Sequence, residues 1–307
     1  MKKQVFILLL GLLLSPLAIG QIHIYSNTTW SNLSLSQDVY IHSGATLTIS
    51  GNMVFTPGRR IHVHDGGRLV GSNGKLTCLQ SFPGTDFWKG IIVDQTSAIS
   101  PTSSWAVNLT NFTVEYADAG IFCEAGGSNN QTRMIYLNTV TFEKNKIHVQ
   151  VYNYSTYSST PSLVYTNVFM NGCQFFDGEA INPWPVHIVG VKTMTVINSG
   201  FYMNEPQIQL HLNRMVNSYI AGNTFDSECP YHLAYHGENY NNQLNNNEFI
   251  MLNSVYSNSA AVDLGFINSS KQEKFTISNN SFYSSTLVSG RWGIGSEQAN
   301  SEFDDVH

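Results

Sequence analysis

Amide and imidazole side chains in the second half of the chain are the residues best placed for ligand chemistry. The candidate ligand-binding residues are His187, Gln209, His211, His236 and Asp263. They occur where apolar and polar residues alternate, which predicts strands with one buried face and these side chains pointing outward. Amides and imidazoles hydrogen-bond well to sugar hydroxyls, so the pattern predicts an exposed glycan-binding strip. An ordinary polar sheet face is the simpler alternative.

Alignment of the apolar segments predicts that the polar candidates form two columns across neighbouring strands. The first column holds Gln150, His187, Gln209 and Asp263. The second column, two residues further along each strand, holds Tyr152, His211 and His236. Aromatic residues from nearby insertions are expected to wall the strip: Trp184, Tyr231, Tyr235 and Tyr240. Aromatic rings suit the faces of sugars, which agrees with the glycan prediction.

A second group of histidines lies near the N-terminus. His42 and His64 occupy equivalent positions 22 residues apart, so we expect their imidazoles to stack on each other. Two interpretations are open: a metal or anion site built with His62 and Asp65, or solvated residues at a strand end before a glycine turn. The second is simpler because the repeat itself explains the alignment. No metal or cofactor is therefore predicted.

The composition argues against several classes of protein. The chain has 307 residues, a net charge of −6 and only 15 Lys and Arg, whereas a nucleic-acid-binding protein needs a basic face. Aromatic residues make up 12% of the chain, which argues against disorder. We therefore expect a folded protein that does not bind nucleic acid. The expected partner is a polysaccharide or cell-surface glycan, and the expected state is a monomer.

The N-terminus has the features of a secretory signal. Two lysines follow Met1, residues 5–14 are apolar, and Ala18 and Gly20 provide small residues for cleavage. Residues 1–20 are thus predicted to be a signal peptide. This indicates a secreted protein, extracellular or at the cell surface, with no membrane span once the signal is removed. An N-terminal membrane anchor is the alternative.

The four cysteines are widely spaced and include no Cys-x-x-Cys pair, which makes a zinc site a poor interpretation. They are Cys78, Cys123, Cys173 and Cys229. An oxidising compartment would allow disulfides. Small buried thiols are the preferred interpretation.

Internal repetition is the main signal of the fold. Residues 39–47 and 61–69 both read apolar-x-apolar-His-x-Gly-x-x-Leu and begin 22 residues apart, and the pattern returns more loosely at 91–99. In the second half, phenylalanines recur at spacings near 24 residues, several of them preceded two residues earlier by asparagine. A coil of this length cannot bury its own apolar side, so stacked coils are predicted.

Stacking places equivalent residues of successive coils on top of one another. We therefore predict that Phe201, Phe225 and Phe249 stack in the core, and that Asn223 and Asn247 form a ladder at a turn. Asparagine and glycine also tolerate the left-handed backbone that such turns need, which accounts for the asparagine-rich composition.

These repeats resemble secreted right-handed parallel β-helix proteins, the fold of pectate lyases. The resemblance covers roughly residues 36–292. The motifs Gly-Ala-Thr-Leu-Thr-Ile at 44–49, Gly-Gly-Arg-Leu at 66–69 and Phe-Trp-Lys-Gly-Ile-Ile-Val at 87–93 are similar to the start of surface β-helix proteins exported by Bacteroidetes-type bacteria. The resemblance implies an all-β fold, a single-stranded right-handed parallel β-helix (solenoid) of about ten coils.

The predicted organisation follows from this resemblance. It comprises a signal peptide at 1–20, an N-terminal cap at 21–37, the right-handed parallel β-helix at 38–292 and a C-terminal tail at 293–307. The cap is expected to fold over the first coil because a solenoid end exposes an unpaired strand edge. Loops are expected near 151–165 and 237–247.

The catalytic residues of enzymes with this fold are poorly matched. Pectate lyases resembling this fold use a calcium-binding acidic cluster and an arginine, whereas the carboxylates here are scattered along the coils. Polygalacturonase-like enzymes use an Asp-Asp pair and Gly-His-Gly, whereas here Asp304-Asp305 lies in the tail and His236-Gly237 stands alone. We therefore predict a non-catalytic module, either glycan- or matrix-binding or structural. A polysaccharide lyase or glycoside hydrolase with an atypical site, or a fragment of a longer adhesin, are the alternatives.

Overall fold

The computed structural model is all-β, with no helix among the residues it describes. Those residues are 20–82, 84–95, 105–125, 133–153, 167–178, 183–204, 206–252, 259–265, 271–284, 291–295 and 302–304. The predicted signal peptide, except residue 20, and most of the predicted loop at 151–165 lie outside them. Within the described segments there is accordingly no helix that could cross a membrane.

The first sheet is a stack of parallel strands, one from each coil. Its strands follow one another in sequence order, and each pairs with the equivalent strand of the next coil. They are β1 Gln21–Ile24, β4 Asp38–Ile41, β7 Arg60–Val63, β9 Trp88–Gln95, β11 Ala117–Ala125, β13 Val149–Asn153, β16 Val186–Val189, β19 Ile208–Asn213, β22 Tyr231–His236, β26 Ser259–Asp263 and β30 Arg291–Gly295.

The second sheet consists of two rows of parallel strands. Three long strands belong to both rows and connect them. The first row is β2 Thr28–Trp30, β5 Thr46–Ile49, β8 Arg68–Cys78, β10 Val107–Glu115, β12 Arg133–Glu143, β14 Asn167–Asn171, β17 Thr193–Ile197, β20 Asn217–Ala221, β24 Gln243–Asn245 and β28 Thr276–Ser278. The second row shares β8, β10 and β12 and adds β3 Leu33–Leu35, β6 Asn52–Phe55, β15 Gln174–Phe176, β18 Gly200–Tyr202, β21 Thr224–Ser227, β25 Glu248–Met251 and β29 Ser281–Ser284.

Each coil therefore crosses the first sheet and then the two rows of the second. About ten such coils stack into a parallel β-solenoid, which confirms the predicted fold class. The side chains alternate between the core and the outside along most strands, as in β4 and β7, where the second and fourth residues are fully buried. The interior is one continuous apolar cluster that extends through the stack.

The corner between the two rows accounts for part of the asparagine content. In every coil that the structure describes here, the corner residue has a positive φ, which only glycine and, less readily, asparagine adopt at low cost. These residues are Asn32, Gly51, Asn73, Asn111, Thr139, Gly172, Asn198, Gly222, Asn246 and Asn279. Asparagine supplies most of them, as the composition predicted.

Phenylalanine rings form the predicted core stack. Phe201 and Phe225 lie parallel with centroids 4.6 Å apart, and Phe225 and Phe249 follow at 4.8 Å. The stack continues in both directions, to Phe175 at 4.8 Å and to Phe282 at 5.2 Å. The register predicted from the spacing of 24 residues is therefore confirmed.

The asparagine ladder is also confirmed. The Nδ2 amide of Asn223 donates to Oδ1 of Asn247 at 2.9 Å, and Nδ2 of Asn247 donates to Oδ1 of Asn280 at the same distance. The backbone N–H of Asn223 donates to that Asn247 oxygen as well, at 3.0 Å. Each side chain thereby satisfies backbone and side-chain groups of its neighbour inside a buried turn.

Three features add detail to the predicted organisation. Residues 21–35, within the predicted cap, form a coil of their own that stacks on the next one, with β1 paired to β4. The expected loop at 237–247 contains two strands, β23 Glu238–Tyr240 and β24. Part of the predicted tail is a strand too, because β31 Glu302–Asp304 pairs with β27 Lys271–Glu273, which in turn pairs with β23 in a small third sheet.

All four cysteines are buried free thiols, which confirms the preferred interpretation. Burial raises the pKa of Cys78 to about 11 and that of Cys229 to about 12. Because the reactive form of cysteine is the thiolate, these residues act as small core side chains.

Candidate functional site: two groups on the outer side of the first sheet

Four of the five sequence candidates come together in one cluster at the C-terminal part of the first sheet. His187 of β16 pairs in register with His211 of β19. His236 of β22 and Asp263 of β26 come from the next two coils and continue the cluster. The columns differ from the predicted ones, because His211, and not Gln209, is the neighbour of His187.

We call His187, His211, His236 and Asp263 the imidazole cluster. Hydrogen bonds link the last three of these residues. Nε2 of His211 lies 2.7 Å from Nδ1 of His236, and Nε2 of His236 lies 3.5 Å from Oδ2 of Asp263. The other Asp263 oxygen accepts the backbone N–H of Gly265 at 3.0 Å. The carboxylate thus orients His236, which in turn orients His211.

The other half of the imidazole cluster is held by ring contacts. His187 stacks on His211 with centroids 4.3 Å apart, and Nδ1 of His187 lies 3.0 Å from the hydroxyl of Tyr152. The Tyr152 hydroxyl also accepts a hydrogen bond from the amide of Gln150. The predicted Tyr152 and Gln150 columns therefore do reach the cluster.

The prediction that these residues form an exposed strip is wrong. The exposed fraction is 5% for His187, 1% for His211, and zero for His236 and Asp263. Trp184, which lies just before β16, covers the two stacked rings, with centroids 5.0 Å from His187 and 4.8 Å from His211. Trp184 was expected to wall an open strip, and it closes the strip instead.

Gln209 is the candidate that lies elsewhere, because the alternation of side chains is interrupted beside it. Ile208 belongs to a small outer apolar cluster, whereas Leu210 belongs to the main core. Gln209 lies between them, fully buried, and its Nε2 donates to the carbonyl oxygens of Phe201 and Met203 at 3.1 Å each. Its amide thus closes a turn of the coil, and the predicted outward position is wrong.

The electrostatics of the imidazole cluster argue against proton transfer. Burial and the nearby His236 lower the pKa of His187 to about 4. Burial and the two neighbouring imidazoles lower the pKa of His211 to about 2. An efficient general base has a pKa near the working pH, whereas burial keeps the pKa of both rings far below neutral pH. The cluster is better suited to packing an insertion onto the sheet than to catalysis.

A second group of rings lies on the same side of the sheet at the N-terminal coils, and it is accessible. His23, Tyr40 and His62 are in register across β1, β4 and β7. The residues two positions further on add a second column. Together they form what we call the ring row: His23, Tyr25, Tyr40, His42, His62 and His64. Tyr25 is 71% exposed, and no ring of the row is buried.

The rings of this row contact one another along and across the coils. Tyr25 and His42 stack at 4.3 Å, and His42 and His64 stack at 5.1 Å, which confirms the predicted stacking of the two equivalent histidines. Tyr40 stacks on His23 at 5.3 Å and on His64 at 5.6 Å. Nδ1 of His23 also lies 2.8 Å from Nε2 of His42. The result is a continuous surface of aromatic and imidazole groups.

Asp94 lies at one end of the ring row, where the metal or anion interpretation of the sequence named Asp65. Oδ2 of Asp94 lies 2.8 Å from Nε2 of His62 and 3.1 Å from Nδ1 of His64. Asp65 is not a member of this group of ligand atoms, and burial and the nearby Asp94 carboxylate raise its pKa. Asp94 follows Val93, which pairs with Val63, and this places its side chain beside His64.

The carboxylates do not form the calcium cluster of the lyases. Among the described residues, no three carboxylates converge, and the one group of potential metal ligands is His62, His64 and Asp94. Asp118 has Lys89 at 2.6 Å and Lys146 at 2.7 Å. Burial alone would raise the pKa of Asp118, but hydrogen bonds from the two lysines lower it overall. Asp118 is therefore an ionised partner in a ladder of charges between coils.

Comparison of the chain with protein-family models, with curated proteins and with solved structures gives no match.

Proposed function

We propose that the protein is a secreted, non-catalytic β-solenoid that binds polysaccharide or cell-surface glycan through the ring row. The observation that carries this proposal is the exposed, continuous stack of tyrosine and histidine rings across three successive coils. The same proposal places the chain with the right-handed, pectate-lyase-like β-helix proteins that its repeats resemble.

The chemistry of the ring row suits sugars. Tyrosine and imidazole rings offer apolar faces against which the C–H faces of a sugar can pack, and their hydroxyl and nitrogen atoms hydrogen-bond sugar hydroxyls. Neighbouring coils are about 4.8 Å apart, so an extended glycan can contact several coils in succession. The overall charge of −6 also favours a neutral partner over a polyanion.

The residues first predicted to bind glycan are less suitable in this arrangement. The imidazole cluster is covered by Trp184, so a sugar reaches His187 or His211 only if that indole moves. Binding at His187, Gln209, His211, His236 and Asp263 therefore stays a prediction, and the ring row is the surface that we propose instead.

Glycan-array binding followed by titration of the best ligand tests this proposal. Tyr25→Ala and Tyr40→Ala should each weaken binding about tenfold, because each removes a stacked ring, equivalent to about 1.4 kcal/mol. Tyr219→Ala is the matched control, since Tyr219 is 42% exposed but lies on the second sheet. Loss of binding confined to the ring-row variants would support the proposal.

Two results would overturn it. One is the absence of glycan binding, or binding that Tyr219→Ala weakens as much as Tyr25→Ala does. The other is turnover. New reducing ends or unsaturated products from a bound polysaccharide would favour the alternative hypothesis, a lyase or glycoside hydrolase with an atypical site. Loss of that turnover in His211→Ala would then place the active site at the imidazole cluster.

A further inference from the structure

His62, His64 and Asp94 bring two imidazole nitrogens and one carboxylate oxygen close together. All three ligand atoms lie within 4.8 Å of one another. The Asp94 oxygen is 2.8 Å from one nitrogen and 3.1 Å from the other. Tetrahedral ligands bound to one metal ion at about 2.0–2.2 Å are about 3.3–3.6 Å apart, so small side-chain movements would bring the three atoms to these separations.

One hydrogen bond and one close, poorly aligned contact connect these three residues. His64 is hydrogen-bonded to Asp94 through Nδ1. Nε2 of His62 is buried and close to the same oxygen, yet it lacks hydrogen-bond geometry to any group in the described part of the chain. A cation between the three atoms would give this buried nitrogen a well-directed bond in place of the poorly aligned contact with Asp94.

The fold presents this set on a rigid support. His62 and His64 are two residues apart across the end of β7, so their side chains leave the same face of the sheet. Asp94 comes from β9, the paired neighbour, at the position opposite His64. Ile61, Val63 and Val93 are fully buried or nearly so and anchor both strands in the core. The ligands therefore need little reorganisation to bind an ion.

We propose that His62 Nε2, His64 Nδ1 and Asp94 Oδ2 form a binding site for one divalent transition-metal ion, and that Zn²⁺ is the ion it takes. Two imidazoles and one carboxylate are a common zinc ligand set, with a fourth position for water or for another ligand. Imidazole nitrogens also favour zinc, copper and nickel over calcium and magnesium, which prefer oxygen. This proposal goes beyond glycan binding and does not depend on it.

Calorimetric titration of Zn²⁺ into the purified protein at neutral pH tests the site. We expect one tightly bound ion per chain. His62→Ala and Asp94→Asn should each weaken zinc binding at least tenfold. Asp65→Asn is the matched control, because it removes a neighbouring carboxylate that does not belong to the ligand set, and it should leave the affinity within twofold.

Co²⁺ provides a readout of the coordination itself. Co²⁺ bound by the wild-type protein should show the visible d–d absorption of a four-coordinate site, and His62→Ala should abolish it. Ca²⁺ at the same concentration should not displace zinc. Because all three ligands are on the outer side of the sheet, the variants should keep the far-UV circular dichroism of the wild type.

Several outcomes would refute the zinc site. These are absence of saturable zinc binding, unchanged affinity in both His62→Ala and Asp94→Asn, an equal loss in Asp65→Asn, or displacement of zinc by Ca²⁺. If a ligand variant lost its fold, competition between zinc and a chelator in the wild-type protein, followed by the Co²⁺ spectrum, would still decide the question.

Discussion

Acid should destabilise this solenoid through histidines buried in its interior, and His148 gives the cleanest test. Its ring is fully buried beside Phe142 and Phe175. Nε2 donates to the carbonyl oxygen of Phe176 at 2.7 Å, and Nδ1 lies 3.3 Å from the amide of Asn145. A carbonyl only accepts hydrogen bonds, so the neutral ring with its proton on Nε2 fits this environment. Burial lowers the pKa of His148 to about 4.

The size of the effect follows from the difference between the folded and unfolded pKa values. In the unfolded chain the pKa is about 6.5, so the unfolded state binds a proton below that pH while the folded state binds one only near pH 4. The stability from the neutral ring is therefore complete above pH 6.5 and is lost as the pH falls from 6.5 towards 4. Between pH 7 and pH 5, the titration of His148 alone should lower the free energy of unfolding by about 2 kcal/mol.

Urea unfolding of the wild type and of His148→Gln at both pH values measures this contribution. The variant removes the titrating group and retains an amide that can donate to the Phe176 carbonyl. It should be less stable than the wild type at pH 7, but its free energy of unfolding should fall about 2 kcal/mol less between pH 7 and pH 5. His23→Gln is the control, because its ring is exposed and its removal takes nothing out of the interior.

The reasoning would be refuted if His148→Gln lost as much stability between the two pH values as the wild type. It would also be refuted if His23→Gln reproduced the effect. His232, which burial likewise gives a pKa of about 4, should repeat the behaviour of His148 in a distant coil. If the double variant shows the sum of the two single effects on the pH dependence of stability, the two sites act independently.

Two further predictions concern the frame itself. Phe225→Ala removes a fully buried ring stacked between two others, and it should lower the free energy of unfolding by about 3–5 kcal/mol. A loss below about 1 kcal/mol, measured by urea unfolding, would contradict the core register. Deletion of residues 21–35 removes the first coil and exposes the edge of β4, so the shortened protein should self-associate. If light scattering shows a monomer and calorimetry shows unchanged thermal stability, this coil does not protect the edge.

The fold could be predicted from the sequence because the coils repeat chemically as well as in length. Phe201, Phe225 and Phe249 are equivalent residues in consecutive coils, and stacking needs only that equivalence. The same holds for Asn223 and Asn247. Repetition of this kind specifies register directly, without knowledge of the loops.

The environment of the candidate residues could not be predicted in the same way. Ile208 to Leu212 alternates perfectly between apolar and polar residues, and nothing in those five residues indicates that Gln209 and Leu210 both face inward. That interruption depends on the turn whose carbonyls Gln209 binds. Side-chain direction there is set by hydrogen bonds between segments, which periodicity does not record.

Asp94 was missed although the sequence did contain a signal for it. The repeat that starts at Ile91 places Asp94 at the position that His42 and His64 occupy in the two preceding coils. Stacking of equivalent positions predicts that this carboxylate lies beside His64, as it does at 3.1 Å. The metal or anion interpretation names Asp65, which is adjacent to His64 in sequence, whereas in a solenoid the neighbour one coil away is closer to a side chain that points outward.

The first sheet thus offers the same outward positions along its whole length, and insertions decide which of them a ligand can reach. Between β3 and β4 only two residues, 36 and 37, separate the strands, and the rings of the N-terminal coils stay open. Between β15 and β16 the connection is longer and brings Trp184 over His187 and His211. Aromatic and imidazole residues at equivalent positions therefore become a surface in one half of the molecule and an internal contact in the other. A solenoid can in this way keep one repeat and still confine ligand binding to the coils without insertions.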